Sequence, residues 1–131
     1  MIVVDASAVL ELLFASPVGL VVAERIGESA LAAPQLLSIE CAQVLRRAEA
    51  KGDIATELAH ELVGDLQLLD VDYVDHDLVL GRVWELRHNL TAYDAAYVAV
   101  AELLGAVLIT TDERMSNAPA NLARIEFVSI R

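Results

Sequence analysis

The sequence predicts an α/β fold, a central parallel sheet flanked by helices, and three observations carry that expectation. Short apolar runs, clearest at Ile2-Val3-Val4 and Ala106-Val107-Leu108-Ile109, are separated by segments with helical spacing. Strands that alternate with helices pair in parallel through right-handed crossovers. The stretch Leu90 to Leu104 contains Ala95-Ala96-Tyr97-Val98-Ala99-Val100-Ala101, a helix apolar on nearly every side, which belongs in a core. Finally, Asp5 and Asp112 follow predicted strands directly, on the edge where parallel sheets bind ligands.

The elements follow in order. Ile2-Val3-Val4 is a buried strand that turns at Asp5 into a helix carrying Ser7, Val9, Leu10, Leu13 and Phe14. Pro17 suits the first turn of a second helix, which runs to about Ile26 and closes near Gly27. Ala30 to Ala33 is a strand stopped at Pro34. Leu37, Cys41, Val44, Leu45 and Ala48 mark a helix from Gln35 to about Ala50, ended by Gly52. Asp53 is expected to cap a helix running to about Leu69, with Leu58, Leu62, Leu66 and Leu69 as its stripe. Val71 to Val74 alternates like a strand, and Asp77 to His88 reads as a helix carrying Leu78, Leu80, Val83, Trp84 and Leu86. Gly105 ends the central helix, and Ala106 to Ile109 suits a strand buried on both faces. After a loop with Asn117 and Pro119, Glu126 to Ile130 alternates as a last strand.

Residues 1–131 are read as a single domain, since a chain this long can bury about two-thirds of its unfolded surface in one core. A content of 56% hydrophobic residues with three prolines and six glycines excludes disorder. No apolar run reaches the 18 or so residues of a membrane span, and the N-terminus lacks the pattern of a signal peptide. One cysteine, Cys41, forms no internal disulfide, so a cytoplasmic location without membrane attachment is expected. A net charge of −11, from 20 acidic and nine basic side chains, opposes broad binding to polyanions. Any nucleic-acid role must rest on a local site, and a basic partner is favoured.

Each acid has an ordinary structural explanation. Asp5 and Asp112 can cap the helices that follow them, Thr91-x-x-Asp94 matches a capping box, and Glu40 can pair with an arginine. Together they have a second reading: two acids at strand ends, one at a buried helix start and one on a helix margin converge on one sheet edge. Four carboxylates form a hard oxygen site suited to Mg²⁺ or Mn²⁺. Cys41, His60, His76 and His88 lack the ligand spacing of zinc sites. On the helix bearing Glu40, Arg47 lies seven residues on, roughly 10 Å along the same face, with Arg46 and Lys51 close by. These three cations are the expected contact set for any polyanion the site takes.

The order Val-Val-Asp5-Ala-Ser7, helical Glu40, Leu90-Thr91-Ala92-Tyr93-Asp94-Ala95-Ala96-Tyr97-Val98-Ala99 and Leu108-Ile109-Thr110-Thr111-Asp112 closely resembles the PIN-domain ribonucleases. Among them it is similar to the VapC-type toxins of toxin–antitoxin pairs. The resemblance spans essentially the whole chain and implies a PIN-like three-layer α/β domain. It implies an acidic metal site of Asp5, Glu40, Asp94 and Asp112, supported by the hydroxyls of Ser7 and Thr110. Asn117 is the nearest match to a further acid or amide that many relatives carry. The implied reaction is Mg²⁺-dependent hydrolysis of RNA, with Mn²⁺ as a substitute. Asp94 and Asp5 would hold the ion, and Glu40 would act through a water. The implied partners are an antitoxin with a basic tail and a second copy of the chain.

Other readings fare worse. A phosphoaspartyl enzyme wants a lysine late in the chain, and the only lysine is Lys51. A dinucleotide-binding fold wants a glycine-rich first turn, and Asp5-Ala-Ser7-Ala has none. The rival from another class is a catalytically silent PIN-like module that only binds a partner.

Overall fold

The structure, a computed structural model, describes residues 1–118 and 123–130; Pro119 of the expected loop lies outside them. Five strands, β1 (Ile2–Val4), β2 (Leu31–Pro34), β3 (Val71–Val74), β4 (Val107–Thr110) and β5 (Ile125–Phe127), pair wholly in parallel in the order β3-β2-β1-β4-β5. Ile2 of the central strand pairs with Leu31 on one side and Val107 on the other, and Val4 pairs with Ile109. A central parallel strand is covered on both faces, which explains why β1 is apolar at every position and buried throughout.

Helices α1 (Ala6–Phe14) and α2 (Pro17–Ile26) join β1 to β2, and α3 (Leu36–Ala50) and α4 (Thr56–Leu68) join β2 to β3. Helices α5 (Leu80–Glu85) and α6 (Ala92–Leu104) then carry the chain back past β1 to β4, and the short α7 (Glu113–Ser116) follows. The strand order reverses at β1, so the crevice between β1 and β4 is the topological switch point of the sheet. Right-handed crossovers put the helices before and after that reversal on opposite faces, giving three layers. Asp5 follows β1 and Asp112 closely follows β4, so both stand at the switch point.

The central helix is built as its composition demands. In α6, Ala95 through Ala101 are all buried, and the helix packs against β1, β2, β4 and α5. Alanines at 95, 96, 99 and 101 favour the helix and let it approach the sheet closely. Thr91 caps its start by accepting the Asp94 N–H at 3.2 Å, and Gly105 ends it at φ +59, the left-handed geometry of a helix stop. Arg82 ties α5 to α6 through Glu102, with Nε–Oε2 at 2.7 Å.

Several expectations need correction. Asp53 does not cap α4. Its N–H closes α3 by donating to the Ala48 carbonyl at 2.9 Å, with Gly52 at φ +77, and α4 begins at Thr56, with Ala55 in the capping position. The 77–88 segment is a 3₁₀ turn at His76–Leu78 followed by the short α5, broken where Val79 adopts φ −121. Its inward residues are Val79, Val83 and Leu86, whereas Leu78, Leu80 and Trp84 stay exposed. Val44 and Leu58 are likewise exposed. The last strand stops at Phe127: Val128 N–H still reaches the Thr110 carbonyl at 2.9 Å, but β4 ends there, and Ser129 and Ile130 lie beyond the ladder. Strand β2 includes Pro34, at a terminal position that a proline tolerates.

Two glycines give opposite expectations. A Cβ on Gly19 would stand 1.9 Å from the Glu11 carbonyl oxygen, because α2 crosses α1 at that point. Gly64 lies inside α4 with open space around it. Gly19→Ala should therefore lower stability by about 1–3 kcal/mol or more, and Gly64→Ala should raise it by about 0.5–1 kcal/mol. Denaturant melts of the two variants check both signs.

Candidate active site

The site begins with Asp5. Its position after β1 and before α1 makes it an N-cap, and Oδ1 accepts the Ala8 N–H at 3.0 Å. The same oxygen accepts the Ser7 hydroxyl at 2.6 Å, while Oδ2 accepts the Thr110 hydroxyl. Thr110 is fully buried at the end of β4, and its Oγ1 accepts the Asp112 N–H at 2.9 Å. Ser7 Oγ accepts the Thr111 N–H at 3.0 Å. Two hydroxyls thus bolt the turn after β1 to the turn after β4. Burial pushes the Asp5 carboxyl above its ordinary range, against the pull of Ser7, Thr110 and Ala8, and the Asp112 charge pushes it further.

Glu40 projects from the middle of α3, and the arginine partner that would have explained it is absent among the described residues. Its Oε1 instead accepts the hydroxyl of Tyr97, one turn beyond Asp94 on α6, at 2.6 Å. Tyr97 is buried, and desolvation with the neighbouring Glu40 pushes its hydroxyl far above the usual phenol range, so it remains a donor. Glu40 itself is raised by desolvation and by the charges of Asp94 and Asp5, against the Tyr97 bond. Asp94 is raised by desolvation and by Asp112, against Arg114 and Thr91. Cys41, beside Glu40, is pushed up to about 12 by burial, Glu40 and Asp5, and so stays a thiol.

Asp112 differs from the other three. It caps α7, with Oδ1 accepting the Arg114 N–H at 3.0 Å, and the Arg114 guanidinium grips both its oxygens, Nη2–Oδ2 at 2.9 Å and Nε–Oδ1 at 3.3 Å. That guanidinium holds the Asp112 carboxyl below its ordinary range. Asn117 Nδ2 donates to the Glu113 carbonyl at 3.2 Å, within its own turn.

The four acids therefore form a closed loop of through-space repulsion: Asp5 with Glu40, Glu40 with Asp94, Asp94 with Asp112, and Asp112 with Asp5. The loop stands on the carboxyl edge at the β1/β4 switch point. It is not a finished cage, since among the described residues no three His, Cys, Asp or Glu side chains close into a metal shell. The donor set is oxygen only. It suits an ion that binds through one or two carboxylates and keeps its waters, as Mg²⁺ does. Arg46, Arg47 and Lys51 are exposed along α3 and just beyond it, and Arg46 Nε donates to Gln43 Oε1 at 3.0 Å.

Sequence reasoning missed two members. Tyr97 reads from the sequence as a core residue, and only the tertiary fold, which brings it to Glu40 across 57 residues of chain, gives its hydroxyl a partner. Arg114 was not singled out, although an arginine two residues beyond an N-cap aspartate is within reach of it.

Comparison with known proteins agrees with this geometry. The family model described as the PIN domain matches residues 2–121. The ribonuclease VapC1 of Mycobacterium tuberculosis is 38% identical over 128 residues, 96% of each chain. The ribonuclease VapC12 of the same organism is 35% identical over 129 residues, 98% of this chain and all of that one. The crystal structure of VapBC2 from Rickettsia felis bound to a promoter DNA fragment superposes with a TM-score of 0.72, covering 98% of this chain and 100% of that one at 14% identity, a likeness of fold.

Two substitutions separate support from repulsion. Thr110→Val leaves a buried Asp5 oxygen without its hydroxyl and should cost about 1–3 kcal/mol. Glu40→Gln keeps an acceptor for Tyr97 and removes a charge, so in chelator it should melt at the parental temperature or higher. The pH dependence has a definite sign. Asp5, Glu40 and Asp94 are raised in the folded chain, so the stability tied to their protonated forms is complete below the ordinary carboxylate range and is lost as pH climbs through the raised values. Asp112, held low, runs the other way. Thermal melts across that range should show a shallower loss with rising pH in Glu40→Gln; a steeper loss would mean that Glu40 is a stabilising partner.

Proposed function

The chain belongs to the PIN-domain family, and from that membership we propose that it is a metal-dependent endoribonuclease, the toxin of a VapBC-type toxin–antitoxin pair, acting as one catalytic domain in the cytoplasm. The observation that carries this reading is the loop of four mutually repelling carboxylates, with oxygen-only chemistry, at the switch point of a chain 38% identical to a VapC ribonuclease. Like charges that raise one another's pKa values are relieved by a cation. Among the described residues no helix is by itself long and apolar enough to cross a membrane.

Asp5 and Asp94 are assigned to hold Mg²⁺, or Mn²⁺ in its place, with Asp112 and Glu40 completing the acidic surround. When bound, the ion supplies Lewis-acid polarisation of a phosphodiester and offsets the charge that builds as the bond breaks. The chain's own residues do the rest. Ser7 and Thr110 fix the Asp5 carboxylate, so its lone pairs keep one direction. Glu40, steered by Tyr97 and raised by its surroundings, is suited to accept a proton from a water that attacks phosphorus. No histidine is required. Arg47, with Arg46 and Lys51, gives the RNA backbone a cationic track leading from the acids.

Partners follow from charge and exposed apolar surface. A basic antitoxin tail is the natural complement of the acidic loop in a chain of net charge −11. A cavity of about 210 Å³ lined by Leu36, Val79, Leu80, Val83, Tyr93 and Ala96, of which Leu80 and Tyr93 are exposed, supports a protein contact such as a second copy of the chain.

Purified protein should cleave single-stranded or looped RNA only with Mg²⁺ or Mn²⁺ and stop on addition of chelator. Asp94→Asn should lose at least about 100-fold. Arg47→Ala should raise KM with kcat little changed. Cleavage that survives chelator and Asp94→Asn would refute the metal mechanism, and a parent inert toward RNA would leave the silent partner-binding module.

A further inference from the structure

The side chain that best merits a role beyond this reading is Arg114. It is 86% exposed, yet its guanidinium lies side-on against Asp112, with Nη2 on Oδ2 at 2.9 Å and Nε on Oδ1 at 3.3 Å. It also acts at a distance on Asp94. Among the described residues it is the one cation coupled to the acidic loop. The other paired cations are committed elsewhere: Arg25 and Arg124 to Glu126, Arg82 to Glu102 and Glu85, and Arg87 over the Trp84 ring.

This arrangement sets up a competition. A divalent ion drawn to Asp94 and Asp112 meets a guanidinium already on Asp112, and their repulsion is twice that of two single charges at the same distance. The Asp112 carboxylate does not need the guanidinium to remain in place, because capping by the Arg114 backbone N–H at 3.0 Å and the Thr110 hydroxyl's hold on the Asp112 N–H fix the turn independently. The arm is long, exposed and anchored by one ion pair, a kind of contact that solvent makes cheap to break. A planar fork that releases a carboxylate is suited to grip a phosphate in the same bidentate way.

Resting on the metal-nuclease reading above, we propose that Arg114 is a displaceable counter-ion: it neutralises Asp112 before metal arrives, yields to the ion, and then binds a phosphate of the RNA backbone next to the bond that is cut. The two halves have opposite signatures. Removing the arm helps the metal and harms the RNA.

The test uses the full chain and its Arg114→Ala variant, with Arg114→Gln as a second variant should the first not fold. Mg²⁺ is titrated without RNA, reading the concentration that gives half the thermal stabilisation. Single-turnover cleavage of an unstructured RNA is then followed across a salt series at saturating Mg²⁺. The variant should reach half-stabilisation at several-fold less Mg²⁺ than the parent. Its kcat/KM should fall about tenfold, mainly in KM, and the salt slope should shrink by about 0.7, the amount for one lost phosphate contact on a single strand. An unchanged or higher Mg²⁺ requirement overturns the displacement, because a merely structural Arg114 would not compete with the ion. Unchanged KM and salt slope overturn the phosphate contact. A parent that cleaves no RNA refutes the nuclease reading and the phosphate contact with it, while the metal titration still decides whether Arg114 is displaced.

Discussion

One buried carboxylate holds the carboxyl edge of this sheet together. Asp5 is 4% exposed, and its two oxygens collect a helix N–H and two hydroxyls, Ser7 from the first turn of α1 and Thr110 from the end of β4. A carboxylate this deep is tolerated because donors meet both of its oxygens. The consequence is geometric. The turn after β1 and the turn after β4 cannot drift apart without leaving hydroxyls and a carboxylate unpaired, so Asp112 is delivered beside Asp5 as surely as the strands are paired.

The remaining acids are positioned by helices rather than strands. Asp94 sits in the first turn of α6, the most buried helix, and Glu40 sits in the middle of α3. The Tyr97 hydroxyl connects the two helices at the one place where their acids approach, so Glu40 is aimed by a neutral donor instead of being neutralised by a cation. That choice preserves negative charge at the site. A salt bridge in the same place would have stabilised the fold and spent the charge. Arg114 is the exception, and it sits on the most exposed pair, where its hold is weakest.

The structural and functional explanations of these acids do not exclude one another. Asp5 and Asp112 are N-caps, as their place after strands suggests, and the Thr91 side chain caps the helix that carries Asp94. Capping orients a carboxylate without using both oxygens fully, so the same residue remains available to a cation. The errors of sequence reading have a common origin as well. Between Asp77 and His88 apolar residues occur on several faces, and periodicity does not say which set turns inward; Val79, Val83 and Leu86 do, and Leu78, Leu80 and Trp84 do not. Asp53 has the right chemistry for a cap but is consumed in closing the preceding helix. Ser129 and Ile130 keep the alternation but lie past the end of β4, at Thr110, where the ladder stops.

The sequence by itself determined the α/β class, the buried α6 and the strands at Ile2–Val4 and Val107–Thr110 to within a residue, because each is written in local spacing or in a residue type that an adjacent element forces into place. Tertiary structure alone decided the strand order, the Tyr97–Glu40 bond and the double hydroxyl bridge from Ser7 and Thr110 to Asp5. The reason is sequence separation. Ser7 lies two residues from Asp5, but Thr110 lies 105 away and Tyr97 lies 57 from Glu40. No periodicity links residues so far apart, and only the packing of α6 onto the sheet and the pairing of β1 with β4 bring them within the reach of a hydrogen bond.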